Sequence, residues 1–476
     1  MIHGGRVGRR EIARRAGLWA GAAIAGLGLL DACAGKAQVP APAAQSAVTE
    51  VVFAPWGGWP AYAGPHWPAL IRPGLDHFEQ ANRGIRVKVV APGGAGSFLA
   101  AIVAGEGPDV FQDWSIAPYL ESGAVLNLAS FLRQDNIATT IWSPGQMRTM
   151  QDQAGVWFLP CYVHVDVMAV NLSILDGLGV AYPAADWTYR EAAALFQAAT
   201  GTVAGQHRYG VYLHFAGGSL GAPLGNLTTY LLHGFGGSMT DEARTGCMLG
   251  QAPAAAAVQW ADALYWEGVA GGGALDLAHT AFVEVGSNAL PKELQLWENA
   301  FKWSFFPVPR YPAGPASFEA TDYYAINAAT TRPEAAWVLL RFLAADAYWS
   351  RYCMHYLLRT PSMVSLWDEY ILTVETVAPL AKGKGLHWFV EAARGWGVAN
   401  RVFRYQHPEA VGLINTALGR AFARTQSVAA ALGSVARAVD AMESSAAREQ
   451  PVPLAQRMAA ERRQKGRLAR LFGAAG

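Results

Sequence analysis

Residues 85–111 have the sequence IRVKVVAPGGAGSFLAAIVAGEGPDVF, from which the architecture of the chain can be predicted. Its two ends, 85–91 and 109–111, are short and rich in β-branched and apolar residues, which predicts two strands. Between them a glycine-rich turn leads into an apolar segment, so we predict a helix over 98–104 with Ser97 as its N-cap. Strand, helix and strand in this order are typical of a parallel sheet covered by helices.

The residues before this stretch extend the same alternation. Residues 50–54 predict a first strand, and apolar residues recur at helical spacing between Leu70 and Phe78, where Pro73 should interrupt the helix. The order β-α-β-α-β therefore indicates an α/β fold. In such a fold a ligand binds in the crevice outside the carboxyl ends of the strands, so residues that directly follow the strands are candidate ligand contacts.

The composition limits the possible functions. The chain has 476 residues, with 37 basic and 36 acidic side chains, and its hydrophobic share of 52% excludes a disordered chain. Since domains commonly contain ~100–200 residues, we expect two or three of them. Residues 1–33 carry five arginines and two acidic residues, a net of +3, and subtracting this from the formal +1 of the whole chain leaves −2. This balance disfavours nucleic acid as a partner.

The N-terminus has the pattern of a secretory signal. Arginine pairs at 9–10 and 14–15 precede an uncharged run over 16–30, which is shorter than the ~18–20 residues of a membrane span. A basic region, an apolar region and a small residue before the cleavage site together predict export. The route is either general secretion or, as the paired arginines suggest, twin-arginine export. A buried helix of a cytoplasmic enzyme is the competing interpretation.

The signal ends at a candidate lipid attachment site. Leu30-Asp31-Ala32-Cys33 resembles a bacterial lipobox, in which the cysteine becomes the lipidated first residue of the mature protein, although Asp31 departs from the usual small or apolar residue. Stable anchoring needs more than one acyl chain on Cys33. We therefore predict a signal peptide with a lipobox over 1–33 and a tether over 34–48. The protein should be periplasmic or at the cell surface, held at the membrane through Cys33.

A series of short motifs resembles those of ABC-transporter extracellular solute-binding proteins of the sugar type, the group that includes maltose-binding protein. The motifs are HFEQAN at 77–82 before IRV at 85–87, AGEGPDVF at 104–111, YLESGAVLNL at 119–128, FLP at 158–160, VN at 170–171, DWTYRE at 186–191, GFGG at 234–237, PVP at 307–309, YAI at 324–326 and PEAAW at 333–337. Arg83 stands where the family usually has proline. Each match is short, but their order and spacing from about residue 50 to 440 are specific to the family.

The resemblance implies a two-lobe α/β periplasmic-binding-protein fold, with a mainly parallel sheet flanked by helices in each lobe and the ligand cleft between them. Because the chain of this family crosses between the lobes more than once, Pro160 and the proline-rich stretch 309–315 are the expected crossing points. We place the first lobe at 49–160 plus 311–362 and the second at 161–310 plus 363–445. A basic tail over 446–476 follows.

The implied function is that of a solute-binding lipoprotein of an ABC importer. Hinge closure around a carbohydrate or related polyol would be read by the transmembrane subunits of the permease. Such a receptor is expected to act as a monomer and to bind its ligand without turning it over. The sequence contains no CxxC pair, no HExxH and no complete phosphate-binding loop, so we predict neither metal nor cofactor. Cys161, Cys247 and Cys353 are expected to be mostly free, buried thiols.

A sugar site needs flat aromatic faces for the C–H groups of the ring and planar polar side chains for its hydroxyls. Candidate residues follow a predicted strand or lie near a predicted crossing point. They are Trp56, Trp59, Asp113, Trp114, Tyr162, His164, Trp303, Phe305, Asp322 and Tyr323. Ordinary packing is the alternative for each of them. Trp260 and Trp337 lie in helical patterns and are predicted to belong to the core.

One motif favours an enzyme instead. GGSLG at 217–221 matches the G-x-S-x-G nucleophile elbow of an exported serine hydrolase that would use Ser219. The required acid and histidine could be Asp322 with His355 or His387. An elbow needs a helix directly after the serine, and Pro223 makes that helix poor. We therefore prefer a glycine-rich loop and keep the hydrolase as the alternative.

Overall fold

A computed structural model describes residues 48–55, 67–91, 97–113, 117–152, 154–212, 230–241, 246–271, 277–287, 290, 294, 297, 300–399 and 408–448. The predicted signal peptide with Cys33, the tether as far as residue 47 and the tail beyond residue 448 lie outside these residues. Trp56, Trp59, Trp114 and Ser219 also lie outside them. None of the helices that are described is long and apolar enough to cross a bilayer.

Fifteen strands are described. They are β1 (Thr49–Ala54), β2 (Ile85–Val89), β3 (Val110–Asp113), β4 (Gln151–Asp152), β5 (Gly155–Val156), β6 (Leu159–Asn171), β7 (Gly201–Val203), β8 (Gln206–Arg208), β9 (Val211–Tyr212), β10 (Phe282–Gly286), β11 (Trp303–Phe306), β12 (Arg310–Tyr311), β13 (Gly314–Pro315), β14 (Ser317–Ile326) and β15 (Gly397–Ala399).

The helices surround these strands. They are α1 (Trp67–Ala81), α2 (Leu99–Ala104), α3 (Ala117–Ser122), α4 (Ala129–Gln134), α5 (Pro144–Met150), α6 (Leu172–Leu178), α7 (Tyr189–Ala199), α8 (Leu232–Gly234), α9 (Ala252–Trp266), α10 (Pro333–Ala345), α11 (Ala347–Leu357), α12 (Trp367–Val377), α13 (His387–Glu391), α14 (Pro408–Phe422) and α15 (Val428–Arg448). Short 3₁₀ turns lie at Thr139–Ile141, Met248–Gly250, Val364–Leu366 and Pro379–Ala381, and a π-helical turn lies at Ala392–Trp396.

The N-terminal part follows the predicted β-α-β-α-β order, from β1 through α1, β2 and α2 to β3. Pro73 does not interrupt α1, which continues through it. The expectation that Ser97 caps α2 is wrong, because Phe98 occupies the N-cap position and no side chain caps the helix there. Gly105 ends the helix in a left-handed conformation, with φ of 81°, which glycine adopts without steric cost.

Nine strands form one mixed sheet in the order β2-β1-β3-β14-β6-β10-β9, with β11 also paired to β6 and β15 to β14. Strands β2, β1 and β3 are parallel to one another. Strand β14 is antiparallel to β3 and to β6, and β6 is antiparallel to β10. The two longest strands of the sheet, β6 and β14, therefore lie side by side in its middle.

The hydrophobic core divides along these two strands. One cluster of buried residues, which we call the first core, comes from 51–159 and 323–357. Three other clusters come from 163–316 and 354–439. The chain thus passes from one core to the others between Leu159 and Val163 on β6, beside Pro160. It returns between Ala316 and Tyr323, just after the stretch 309–315.

Candidate functional site

Three segments meet where the core divides, and we call this region the crossing junction: residues 160–165 of β6, residues 317–323 of β14, and residues 358–362 after α11. Asp322 is the strand partner of Tyr162, and Tyr323 is the partner of Pro160 after a shift in register. Residues 358–362 lie along the edge of β6 that faces away from β14, where the Val163 amide donates a hydrogen bond to the Thr360 carbonyl at 3.0 Å. Backbone pairing therefore fixes all three segments against one another.

A buried polar network fills one face of the junction. His164 Nε2 lies 3.4 Å from Asp322 Oδ2, and Arg359 Nη1 lies 3.4 Å from His164 Nδ1. A guanidinium only donates hydrogen bonds, so Nδ1 is the acceptor and Nε2 carries the proton that points at Asp322. Burial lowers the pKa of His164, and the nearby Arg359 acts in the same direction, so the ring is neutral near pH 7.

Tyr162 extends this network toward the first core. Its hydroxyl accepts a hydrogen bond from Gln112 Nε2 at 2.9 Å, and the Arg359 guanidinium lies 5.2 Å from the centre of its ring. Burial raises the pKa of Tyr162 well above its ordinary value, and the neighbouring Asp322 adds to the rise. The phenol therefore stays protonated at any physiological pH.

Asp113 lies at the carboxyl end of β3, where it is the strand partner of Tyr323. Its carboxylate accepts a hydrogen bond from the Tyr119 hydroxyl at 2.6 Å. Burial of Tyr119, together with this carboxylate, raises the pKa of the phenol. Because Ala54 on β1 pairs with Phe111 on β3, the two strands end at the same edge of the sheet. This edge is where a ligand crevice is expected.

Five predicted site residues are thus brought together: Asp113, Tyr162, His164, Asp322 and Tyr323. All five side chains are buried, with exposures between 0% for Tyr323 and 6% for His164. Trp56 and Trp59 come soon after β1 in the sequence and Trp114 comes directly after β3, but the three lie outside the described residues. The described part of the site is therefore a rigid polar base at one edge of the sheet.

Trp303 and Phe305 lie elsewhere. They belong to β11, which pairs with the far end of β6, opposite Asn171 and Ala169. Trp303 packs against Trp297 with ring centres 5.2 Å apart, and Phe305 packs against Phe389 at 5.0 Å. The structure does not bring these two residues to the junction. Their contact with a ligand stays a prediction, and their burial in the core does not support it.

Two residues of the polar network were missed in the sequence. Arg359 is 2% exposed and Gln112 is 1% exposed. Both carry a local signal, since Arg359 follows Leu357-Leu358 and Gln112 follows Val110-Phe111, so each polar side chain interrupts an apolar run. Because an arginine is almost never fully buried without a partner, such an interruption is a usable indication of a polar network.

The comparisons with known proteins give the family. The model of the bacterial extracellular solute-binding protein family matches residues 64–348, more than half of the chain. The chain belongs to this family.

Solved structures show the same fold for this solute-binding protein. The sugar-binding protein MalE of Xanthomonas citri has a TM-score of 0.68 at 17% identity, covering 85% of this chain and all of its own. The cyclic α-maltosyl-1,6-maltose binding protein of Arthrobacter globiformis has 0.67 at 18%, covering 83% and 99%. An ABC substrate-binding protein of Listeria monocytogenes in complex with cycloalternan has 0.66 at 16%, covering 83% and 99%. No curated protein sequence matches the chain significantly.

The predicted two-lobe periplasmic-binding-protein fold is therefore confirmed. The expected mainly parallel sheet in each lobe is instead one mixed sheet, because β14 is antiparallel to β3 and β6, and β6 is antiparallel to β10 and β11. The extracellular family makes this an exported protein. The comparisons do not support the serine hydrolase. Its proposed acid, Asp322, pairs with His164, while His355 and His387 are both exposed and contact Tyr356 and Trp388 instead.

Other sequence predictions concern thiols and metals. Cys161, Cys247 and Cys353 are free, as predicted. Within the described ranges, no three histidine, cysteine or acidic side chains are grouped to hold a metal ion.

Proposed function

We propose that this solute-binding protein is the receptor of an ABC importer, and that it binds a carbohydrate or related polyol between its lobes and delivers it to the permease. The observation that carries the proposal is the family membership, together with the saccharides named for the similar structures. A third structure of the same fold, with mannotriose bound, points to the same ligand class. The receptor would act as a monomer without cofactor and release its ligand chemically unchanged.

The lobes would be residues 49–160 plus 311–362 and residues 161–310 plus 363–445. The division of the buried residues supports this assignment, since one cluster is built from 51–159 and 323–357. Among the described residues of 49–160 and 311–362, the ones that belong to the other buried clusters are Tyr311, Ala316, Met354 and Leu358. Tyr311 and Ala316 lie beside the crossing stretch 309–315, and Met354 and Leu358 lie shortly before the boundary at residue 362.

The ligand would lie beyond the carboxyl ends of β1 and β3. Trp56, Trp59 and Trp114 would supply the aromatic faces, because each follows one of these strands closely in the sequence. Asp113 would accept hydrogen bonds from sugar hydroxyls at the same edge. Tyr162, His164, Asp322 and Tyr323 would form the base of the site. The contact between His164 and Asp322 and the strand pairing of β6 with β14 would keep that base in place while the lobes move.

Anchoring through Cys33 is part of the proposal. The tetrapeptide that ends at Cys33 supports lipidation, and a receptor tethered near its permease would deliver ligand efficiently. Replacing Cys33 with serine should move the protein from the membrane fraction to the soluble extracytoplasmic fraction, as measured by fractionation of the cells. Mass spectrometry of the mature N-terminus should find acyl groups on Cys33 in the parent. Equal membrane association of parent and variant would contradict the anchor.

A thermal-shift panel tests the ligand class. The purified protein is melted with oligosaccharides, monosaccharides and polyols, and with amino acids and short peptides as controls. A ligand that binds only the native state at 100 times its Kd adds about 2.7 kcal/mol to the free energy of unfolding. We expect such a shift with at least one sugar and with none of the controls. A shift confined to a peptide or an amino acid would show that the ligand class is wrong.

The same ligand then tests the site. Trp114→Ala should weaken binding by more than about 1 kcal/mol and leave the melting of the unliganded protein nearly unchanged, because a stacking residue contributes mainly to binding. Trp303→Ala is the matched control, since it also removes an indole but one that packs in the core. Equal loss of affinity in both variants would show that the proposed aromatic contact at the carboxyl ends of β1 and β3 is wrong.

A further inference from the structure

Glu319 is a carboxyl group buried at the point where the two lobes meet. It lies on β14 between Ala316, which belongs to one core, and Tyr323, which belongs to the other. Its strand partners are Val165 on β6 and Ala399 on β15. The residue is 1% exposed. No predicted or proposed ligand contact uses it.

Two glycines make room for this carboxyl group. A methyl group added to Gly145 on α5, or to Gly397 on β15, would overlap the Glu319 carboxylate. Helix α5 belongs to the first core through Met147 and Met150, whereas Val398 of β15 packs on another cluster. The carboxyl group is thus held between an element of one core and an element of the other, and the contact exists only while these two elements stay together.

The surroundings favour the neutral form. Glu319 Oε1 accepts a hydrogen bond from Ser143 Oγ at 2.8 Å, whereas Oε2 has no hydrogen-bond partner among the described residues. Burial raises the pKa of Glu319 to about 7. The Ser143 hydroxyl, the charge of Arg148 and the backbone N–H of Gln146 only partly oppose that rise. The dominant effect is therefore the loss of hydration of a carboxylate.

Few other charges face this group. On α5 the charged residue is Arg148, and on the π-helical turn it is Arg394, which instead pairs with Asp368 and Glu391. Strand β15 carries no charged side chain. On β6, His164 and Asp166 flank Val165, the strand partner of Glu319, so they point to the opposite face of the sheet. Of these charged groups Arg148 acts on Glu319, and it lowers the pKa against the larger effect of burial.

We propose that Glu319 is a proton-dependent latch of the hinge: the neutral carboxyl group holds α5 against β15, and its ionisation favours conformations in which the two elements separate and water reaches the carboxylate. The latch rests on the two-lobe fold and not on the identity of the ligand. A carboxyl group that binds its proton more tightly when packed stabilises the packed state at low pH, and this stabilisation is lost as the pH rises through about 7. For an exposed pKa near 4.5, the equilibrium constant for separation should rise about tenfold between pH 6 and pH 8.

Hydrogen exchange of the ligand-free full chain tests this latch. Amide exchange of segments 144–150 and 397–399 is followed by mass spectrometry at pH 6 and pH 8 and corrected for the chemical exchange rate. Protection of both segments should fall about tenfold from pH 6 to pH 8 in the parent. In Glu319→Gln, which keeps the shape of the side chain but cannot ionise, protection should stay constant. The same fall in the variant, or constant protection in the parent, would overturn the proposal.

Two further variants keep the test independent of general instability. Arg148→Gln removes the cation that lowers the pKa of Glu319, so the midpoint of the loss of protection should move to higher pH. Glu79→Gln removes another buried carboxyl group of the first core, one that pairs with Arg72 and Arg86, and should leave the pH dependence of both segments unchanged. An unchanged midpoint in Arg148→Gln, or an equal effect of Glu79→Gln, would contradict a latch at Glu319.

Discussion

The two ends of β6 place different residues on the same face of one strand. Near its start, Tyr162 and His164 meet Gln112, Asp322 and Arg359 in a polar network. Near its end, the corresponding positions 168 and 170 are apolar and pack within a hydrophobic cluster. Both ends are almost fully buried. Burial therefore does not distinguish the two ends of this face, whereas the polar network found at one of them does.

The largest expected loss of stability comes from a substitution at the apolar end of β6. Phe305→Ala leaves a cavity between Trp303 and Phe389, and removal of a buried phenylalanine side chain typically costs about 3–5 kcal/mol. We expect a loss of this size in the free energy of unfolding, measured by urea denaturation. Affinity for a sugar that shifts the melting temperature should change little. A variant that folds as stably as the parent but loses affinity would move the ligand site to this end of β6.

Glu319→Gln tests the polar end through pH. The packed Glu319 has its pKa raised to about 7 from an ordinary value of 4.5, which corresponds to about 3 kcal/mol of lost stability once the pH exceeds 7. The variant should therefore be more stable than the parent at pH 8 and lose this advantage toward pH 5. Thermal melting across that range measures the difference. A constant difference between variant and parent at all pH values would contradict the raised pKa.

Tyr119→Phe removes the donor to Asp113 at the carboxyl end of β3. Because a buried carboxylate loses a charge-assisted hydrogen bond, the expected cost is about 1.5–3 kcal/mol. If Asp113 also contacts a sugar, affinity should fall as well, which isothermal calorimetry with the sugar from the panel would detect. Phe111→Leu changes a ring in contact with Tyr119 and serves as the packing control, with less effect on affinity.

His164→Gln should have the smallest effect on stability. This effect should appear toward low pH, whereas that of Glu319→Gln appears toward high pH. The pKa of His164 is lowered by burial, so the ring stabilises the fold above pH 6.5 and loses that contribution as the pH falls below 6.5. The variant should show a shallower decline of stability between pH 6.5 and pH 5, by at most about 1.4 kcal/mol per pH unit. An unchanged acid limb would mean that folding does not lower the pKa of His164.

The sequence was sufficient for the strand order at the N-terminus and for the two-lobe fold, because periodicity and short motifs are local. It was also sufficient to nominate Asp113, Tyr162, His164, Asp322 and Tyr323. It did not predict that His164 pairs with Asp322 and Arg359, because these contacts depend on the register between segments far apart in the chain. Trp303 and Phe305 show a second limit of prediction from sequence. Aromatic residues that alternate along a strand form the same pattern in a core as beside a ligand cleft.

The discontinuous first core has a consequence for the order in which the chain folds. Its residues come from 51–159 and from 323–357, so β14, the partner of β3, is synthesised only after residues 163–316, which supply the other buried clusters. Closing so long a loop is entropically costly and slow. Until residues 323–326 pair with β3, its free edge and apolar residues remain exposed and prone to aggregation. We expect a nascent chain truncated after β6 to depend on chaperones.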